Sequence, residues 1–185
     1  MAKSQKRKAE SRQAIMRSAA KLFRENGFDG VTVAEVMDGA GLTHGGFPRH
    51  FSSKDELITA TLAELFAADA REPSLPMRDL HEFARAYLRS EHRGEPGTGC
   101  VFAALGPEMA RAPRPTRDIL TDAIERQIQK FVDIAPGEKP AERRVAAIGT
   151  WATMIGAMVL ARIVNSDPLS EDILASARLF LDMEG

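Results

Sequence analysis

Two helix-capping boxes on either side of one glycine turn lie within residues 32–56, TVAEVMDGAGLTHGGFPRHFSSKDE, and they restrict what this stretch can build. Thr32 can accept from the backbone N–H of Glu35 while the Glu35 carboxylate reaches back, and Ser53 with Glu56 repeats the pattern. After the first box, Val33, Val36, Met37 and Ala40 recur at helical spacing. Gly41 suits a backbone leaving the helix through a left-handed turn, and Leu42 can plug the space between two helices. Thr43 is the next N-cap, opening a segment from His44 to His50 whose inward face is Phe47 and Phe51. The second box opens a long helix with Leu57, Ile58, Thr61, Leu62, Leu65 and Phe66. Upstream, Ile15, Ala19, Leu22 and Phe23 make one stripe that ends at Asn26-Gly27. Such short helices need tertiary packing to persist, so they form one small three-helix core. The layout is a helix-turn-helix, whose second helix can enter the major groove of DNA.

A helical corner with incidental caps would show the same local pattern, and charge separates the two readings. Residues 1–54 hold ten Lys or Arg and five acids, a net of +5; with −1 for the whole chain, residues 55–185 carry −6. Such asymmetry points to one domain meeting a polyanion. Basic side chains near phosphates release counterions, which makes binding strongly salt-dependent.

Residues 10–57 resemble the DNA-binding head of the TetR family of transcriptional regulators. The resemblance is carried by the Ile15–Phe23 helix, Gly27-Phe28, Thr32-Val33, Glu35-Val36, Ala40-Gly41-Leu42, Phe47, His50-Phe51 and Ser53-Lys54-Asp55-Glu56-Leu57. The run from Gly99 to Gly106 is similar to one subgroup of the family. The resemblance implies a homodimer of all-helical subunits that binds a palindromic double-stranded DNA operator and usually represses, released by a small ligand in the body. By position it implies that Thr32, Thr43, His50 and Lys54 contact phosphates, and that His44, Gly45, Gly46 and Arg49 reach or approach base edges. The chemistry is consistent with those roles. Arg can donate two hydrogen bonds to guanine, glycines admit close backbone approach, and helix N-termini favour phosphate.

Pro48 departs from the family pattern, which usually has an aromatic residue there, commonly Tyr. As the fifth residue after Thr43 it lies beyond the tolerated first turn, where proline costs about 3 kcal/mol in a regular helix. Gly45 and Gly46 each add about 1 kcal/mol relative to Ala. The second helix is therefore expected to be weak, kinked or late-starting, and to order fully only on DNA. Pro48 also lowers the expected operator affinity, and a regulator-like dimer with weakened or lost DNA binding is the alternative reading.

The organisation expected is all-α: a basic flexible arm over 1–9, a helix-turn-helix head over 10–52, and a helical ligand-binding and dimerisation domain over 53–185. A hydrophobic content of 44% suffices for a proper core. After a helix from Ser53 to about Arg71, Glu72-Pro73-Ser74-Leu75-Pro76 is a break. Helices are then expected from about Met77 to His92, around Val101 to Arg111, from Thr116 to about Ile134, from Ala141 to Asn165, and from a cap at Ser170 onward.

The last two helices read as the homodimer interface. Gly149 and Gly156, seven residues apart, permit another helix to come close. A helix this apolar on several faces needs more cover than one neighbour provides, and two such helices per subunit make a four-helix bundle across a two-fold axis. The run from Val145 to Val164 approaches membrane-spanning length, but Arg162, Thr150, Thr153 and the two glycines argue for a buried helix, and no signal peptide precedes it. No membrane association is expected.

Candidates for an adaptable apolar cavity are Phe66, Tyr87, Cys100, Phe102, Met109, Trp151, Met154 and Met158, with ordinary core packing as the alternative. They suit a small apolar or aromatic effector. The single Cys100 leaves no internal disulfide and fits a reducing cytoplasm. An enzyme pairing Cys100 with His81 or His92 is the competing class; no catalytic signature surrounds them, the histidines lack metal-ligand spacing, and no cofactor is expected.

Overall fold

The computed structural model describes residues 2–71 and 79–183. Every regular element among them is helical: α1 Ala2–Asn26, α2 Val33–Gly39, a 3-10 helix His44–Arg49, α3 Lys54–Arg71, α4 Leu80–Tyr87, α5 Ser90–Gly94, α6 Val101–Met109, α7 Arg114–Val132, α8 Pro140–Ile163 and α9 Asp167–Met183. The expected break at 72–76 and the expected helix start at Met77 lie outside the described residues.

Local chemistry explains most boundaries and corrects several expectations. The Thr32–Glu35 capping box forms in full, and Gly41 leaves α2 at φ +68°. At the second box Glu56 N–H donates to Ser53 Oγ at 3.1 Å. Its carboxylate, however, takes the N–H and hydroxyl of Ser52, both at 2.7 Å, rather than the N–H of Ser53. Residues 2–9, expected as an arm, take the form of the opening of α1; Ala, Lys, Gln and Arg are strong helix formers, and nothing in AKSQKRKA breaks a helix. The single helix expected to run to His92 is two. Leu88 leaves helical geometry at ψ 53°, fully buried, with its carbonyl taken by Arg178 Nη1. Ser170 is not the cap of α9. It lies in the first turn, fully buried, and donates to the Ala161 carbonyl at 2.8 Å, tying α9 to α8.

The core has two centres. The first joins Ile15, Phe23, Val36, Met37, Phe47, Phe51, Leu57 and Phe66 with Leu105 and Met109 of α6 and Leu120 of α7. The second gathers Leu80, Tyr87, Leu88, Phe131, Met154, Met158, Leu174 and Leu181. A run of ring contacts connects them: Phe66 to Phe102 at 5.3 Å, Phe102 to Trp151 at 5.1 Å, Trp151 to Phe131 at 5.9 Å, Phe131 to Phe83 at 5.2 Å and Phe83 to Tyr87 at 6.3 Å. Two polar ties join the head to the body. Glu108 of α6 accepts the Phe28 N–H at 2.7 Å, and Arg24 Nε donates to the Gly97 carbonyl at 2.8 Å. α8 is long and apolar enough to cross a membrane by length and composition, yet it packs against α4, α5, α6, α7 and α9.

Candidate nucleic-acid interface and effector region

Residues 43–50 are displayed by what lies behind them. Phe47 and Phe51 are buried, their rings 5.8 Å apart, and anchor the segment to α2 and α1. Arg12 holds the far end: its guanidinium stacks 3.9 Å from the Phe51 ring centroid, donates to the His50 carbonyl and lies 3.7 Å from Glu56. Thr43, His44, Gly45, Pro48 and Arg49 are exposed as a consequence, and Gly46, His50 and Lys54 are partly so.

The segment is a 3-10 helix, not an α-helix. Gly46 N–H donates to the Thr43 carbonyl and His50 N–H to Phe47, both at 2.9 Å, an i to i−3 pattern. Tightening the turn relieves Pro48 of the clash an α-helix would impose with the His44 carbonyl. The segment departs from a regular α-helix, as expected of a proline at this position, but it starts at His44 rather than late near Pro48. Thr43 occupies the cap position in extended geometry, but its side chain makes no capping bond.

Of the expected phosphate-facing residues, Thr32 has its donors engaged within the chain, whereas His50 Nδ1 is not engaged. The Thr32 N–H and hydroxyl both donate to Glu35 Oε2, at 2.7 and 2.8 Å. Those two bonds, first the backbone and then the hydroxyl, hold the Glu35 carboxyl below the usual carboxylate range, with Lys54 adding to them. His50 keeps a buried Nδ1 without a partner. Burial, then the charges of Lys8, Arg12 and Arg49, lower its pKa. Lys8 and Arg12 thus belong to the basic surface around His50. The reading of 1–9 as a basic arm gave Lys8 a phosphate-attracting part but not its place beside His50, although the spacing of four between Lys8 and Arg12 along one helical face was in the sequence. An open groove between α1 and α2, lined by Arg17, Ser18, Lys21, Glu35, Asp38 and Gly39, also belongs to the head.

In the body the eight cavity candidates divide. Phe66 and Met109 lie in the first core centre, and Phe102 packs against it. Tyr87, Met154 and Met158 lie in the second, with Cys100 and Trp151 packed against it. Phe102 and Trp151 are the bridge between the groups.

His92 organises the polar part of this region. Its Nδ1 lies 2.7 Å from the Tyr87 carbonyl, its Nε2 accepts the Cys100 backbone N–H at 3.1 Å, and its ring meets Tyr87 edge-on at 4.4 Å. Both nitrogens are thereby engaged by backbone, so neither is left to take a proton from the Cys100 thiol, one of the two pairings of the enzyme reading. Burial lowers the His92 pKa, partly opposed by the bond to Tyr87. The Tyr87 hydroxyl is buried and makes no hydrogen bond. Burial, then Cys100, pushes its pKa above the ordinary 10.0. Arg162 donates from Nη2 to the His92 carbonyl at 2.8 Å and from Nε to the Arg93 carbonyl at 3.2 Å, while Nη1 is buried without a partner. Among the described residues, no group of three or more His, Cys, Asp or Glu could hold a metal ion.

On the outer side of the body, α8 exposes Val145, Ile148, Leu160 and Ile163, and α9 exposes Leu169, Leu179 and Phe180. A Cβ added at Gly149 or Gly156 would meet nothing within 4 Å, so both glycines belong to this outward face.

Residues 15–61 match the family described as bacterial regulatory proteins, tetR family. The chain is similar to the HTH-type transcriptional repressor KstR2 of Mycobacterium tuberculosis, 37% identical over 127 residues. That match covers 66% of this chain and spans 64% of the relative's length. Among solved structures, a TetR-family transcriptional regulator from Agrobacterium tumefaciens superposes with a TM-score of 0.71 at 19% identity, covering 95% of this chain and 98% of that one. A TetR transcriptional regulator from Chloroflexus aurantiacus gives a TM-score of 0.70 at 22% identity, with 96% of each chain covered. At these identities the structural likeness speaks for the fold, while the family match and the sequence relative speak for descent. The head, residues 15–61, carries the match to the tetR family of bacterial regulatory proteins, and the chain as a whole shares the fold of the solved regulators.

Proposed function

We propose that this protein is a ligand-responsive transcriptional repressor that binds a palindromic operator as a homodimer and acts in the cytoplasm. The observation that carries the reading is the outward display of residues 43–50 on a basic surface formed with Lys8 and Arg12, held from behind by Phe47, Phe51 and Arg12. In this reading His44, Gly45, Gly46 and Arg49 approach base edges, with Pro48 between them, while Thr32, Thr43, His50 and Lys54 grip phosphates. Thr32 takes a phosphate by surrendering its donors from Glu35. The dimer forms through the apolar outer face of α8 and α9, which places two heads on one side of a two-fold axis. A small effector enters the body near Phe66, Tyr87, Cys100, Phe102, Met109, Trp151, Met154 and Met158. The polar ties from Glu108 to Phe28 and from Arg24 to Gly97 carry its effect to the head.

The test is binding of the purified protein to the DNA upstream of its own gene across a salt series, with Pro48→Tyr in parallel. The expected result is a dimer on a palindrome whose affinity falls steeply with salt, and a higher affinity for the Tyr variant. The 3-10 geometry around Pro48 favours one alternative, a dimer whose head no longer grips DNA. No binding by the native chain with binding by Pro48→Tyr would establish that alternative instead.

A further inference from the structure

Arg162 is a half-buried cation with no carboxylate partner among the described residues. Three acids of the adjoining α9 are committed elsewhere: Asp167 to Arg93, Asp182 to Arg85 and Glu171 to the Ser90 hydroxyl. Burial pulls the guanidinium pKa down, and the groups that act on it electrostatically are Tyr87 and Cys100. The Tyr87 hydroxyl is its counterpart, on a residue 6% exposed and without a hydrogen bond. A buried donor left unused costs about 1–3 kcal/mol, and a partly buried cation is expensive unless paired. These two groups share one place between α4 and α8, so a single partner can satisfy both.

The surroundings define the rest of that partner. Trp151, Ile155, Met158 and Arg162 follow at spacings of four, three and four, on one face of α8. Eleven residues of α-helix span about 16 Å. Phe83 and Tyr87 of α4 pack with the same cluster. Trp151, Ile155, Phe83, Cys100 and Phe102 are only partly buried, whereas Met154 and Met158 are fully so. The face is partly accessible at Trp151 and Ile155, buried at Met158 and charged at its Arg162 end.

We infer that Arg162 and Tyr87 form the head of a subsite for a monoanionic carboxylate whose apolar or aromatic tail lies along the Trp151–Met158 face of α8. The inference rests on the reading of the body as an effector domain and names the chemical class of the effector. Two free donors, one guanidinium N–H and one hydroxyl, match the two oxygens of a carboxylate. A dianionic phosphate would call for a second free cation, and Arg24, the other guanidinium acting on Cys100, is spent on the Gly97 carbonyl. A wholly apolar effector would leave both buried donors unmet.

Trp151 is the sole tryptophan of the chain, so its fluorescence reports the site directly. The full-length protein is titrated with straight-chain and phenyl-terminated carboxylates, from butyrate to dodecanoate, and with the primary amide of each. The expected result is saturable change with at least one acid, at an affinity about tenfold or more above its amide, a gap of about 1.4 kcal/mol. Tyr87→Phe removes only the unused hydroxyl; it should melt no lower than the native chain and lose about tenfold in acid affinity. Arg162→Gln should abolish the preference for acid over amide. Equal binding of acid and amide with release of the operator would overturn the carboxylate subsite and leave the effector reading standing. Selective acid binding without any effect on operator binding would support the subsite and sink the release mechanism. No response to any acid, or full acid affinity in Tyr87→Phe, would overturn the inference.

Discussion

The head and the body differ in how completely they satisfy themselves. In the head most turns are closed by its own side chains, Thr32 with Glu35, Ser52 and Ser53 with Glu56, and Arg12 on the His50 carbonyl; the body adds Glu108 on the Phe28 N–H, and His50 Nδ1 stays unpaired. Its apolar residues point inward around Phe23, Phe51 and Leu57. The body keeps Tyr87 and Arg162 with unused buried donors, and turns Val145, Leu160, Ile163 and Leu179 outward. A region completed by its own short-range contacts folds to a fixed frame. A region with unmet donors and bare apolar faces is left to be completed by something else, in the function we propose a second copy on α8 and α9 and a ligand against α4. Regulation needs that division, because only the incomplete part can report whether a partner is present.

The largest expected effect breaks the body's incompleteness. Leu160→Glu places a charge in the middle of the outward stripe of α8, on a residue 54% exposed in the single chain and therefore harmless to its fold. A central interface position is worth about 2 kcal/mol or more, about thirtyfold in the dimer dissociation constant. Sedimentation should show a folded monomer with sharply weakened operator binding. A dimer of unchanged strength would mean that this face is not the interface.

Next in size is the head's satisfaction. Glu108→Ala leaves the Phe28 N–H without its acceptor, at a cost of about 1–3 kcal/mol. Gly27→Ala acts on the same contact. Gly27 sits at φ +77°, and an added Cβ would come 2.9 Å from Glu108 Oε1; the left-handed backbone alone costs about 1–2 kcal/mol. Urea unfolding should place both variants below the native chain, and the pair together should cost less than the sum of the two, since they share one contact. Strict additivity would show that the tie is not a unit.

The same contrast governs how far each region could be read from sequence. The head was legible because its determinants are local. Thr32, Glu35, Gly41 and Ser53 act within four residues of themselves, and Gly45, Gly46 and Pro48 mark 44–49 as unsuited to a regular α-helix. The errors came where a distant partner decides. Ser170 looks like a cap, but the end of α8 reaches it first. The helix running to His92 breaks at Leu88 because Arg178, 90 residues away, takes the Leu88 carbonyl. Residues 2–9 have strong helix propensity that a charge-based reading overlooked. Of the candidate effector residues, the aromatic and methionine types were legible. That Arg162 joins Tyr87 was not, because an arginine in an apolar helix reads as an interruption until the neighbouring helices are placed.

A smaller effect sharpens the comparison through pH. His92 has a pKa below its ordinary 6.5, chiefly by burial. The folded state therefore binds fewer protons than the unfolded state in the window just below that value. Stability present above pH 6.5 is lost as pH falls through the folded pKa. Protonating Nε2 also turns a donor against the Cys100 N–H that it accepts at 3.1 Å. His92→Gln should flatten the decline below pH 6.5 at some cost to neutral-pH stability, read by melting curves across pH. His50, also lowered by burial first, contributes a decline of the same sign in the head, so the variant should reduce the slope without removing it. An unchanged slope would place the proton uptake elsewhere.

The smallest effect on stability concerns the one stretch of the head that is not closed by its own contacts. A Cβ at Gly45 would meet nothing within 4 Å, and one at Gly46 would touch Met37 Cε at an ordinary 3.6 Å. The double variant Gly45→Ala, Gly46→Ala therefore fits without strain and removes about 1 kcal/mol of helical penalty at each site. If the glycines alone hold the segment in 3-10 form, Cα chemical shifts over 44–50 in the free protein should move to α-helical values. If Pro48 holds it, those shifts should stay and only Pro48→Ala should move them, with a change in global stability of about 1 kcal/mol or less. The geometry favours Pro48, because its ring would collide with the His44 carbonyl in an α-helix whatever residues precede it. Should both variants become helical, neither element acts alone, and the recognition segment sits near balance between two helical forms. Contact with DNA then has only a small free-energy gap to close in selecting one of them.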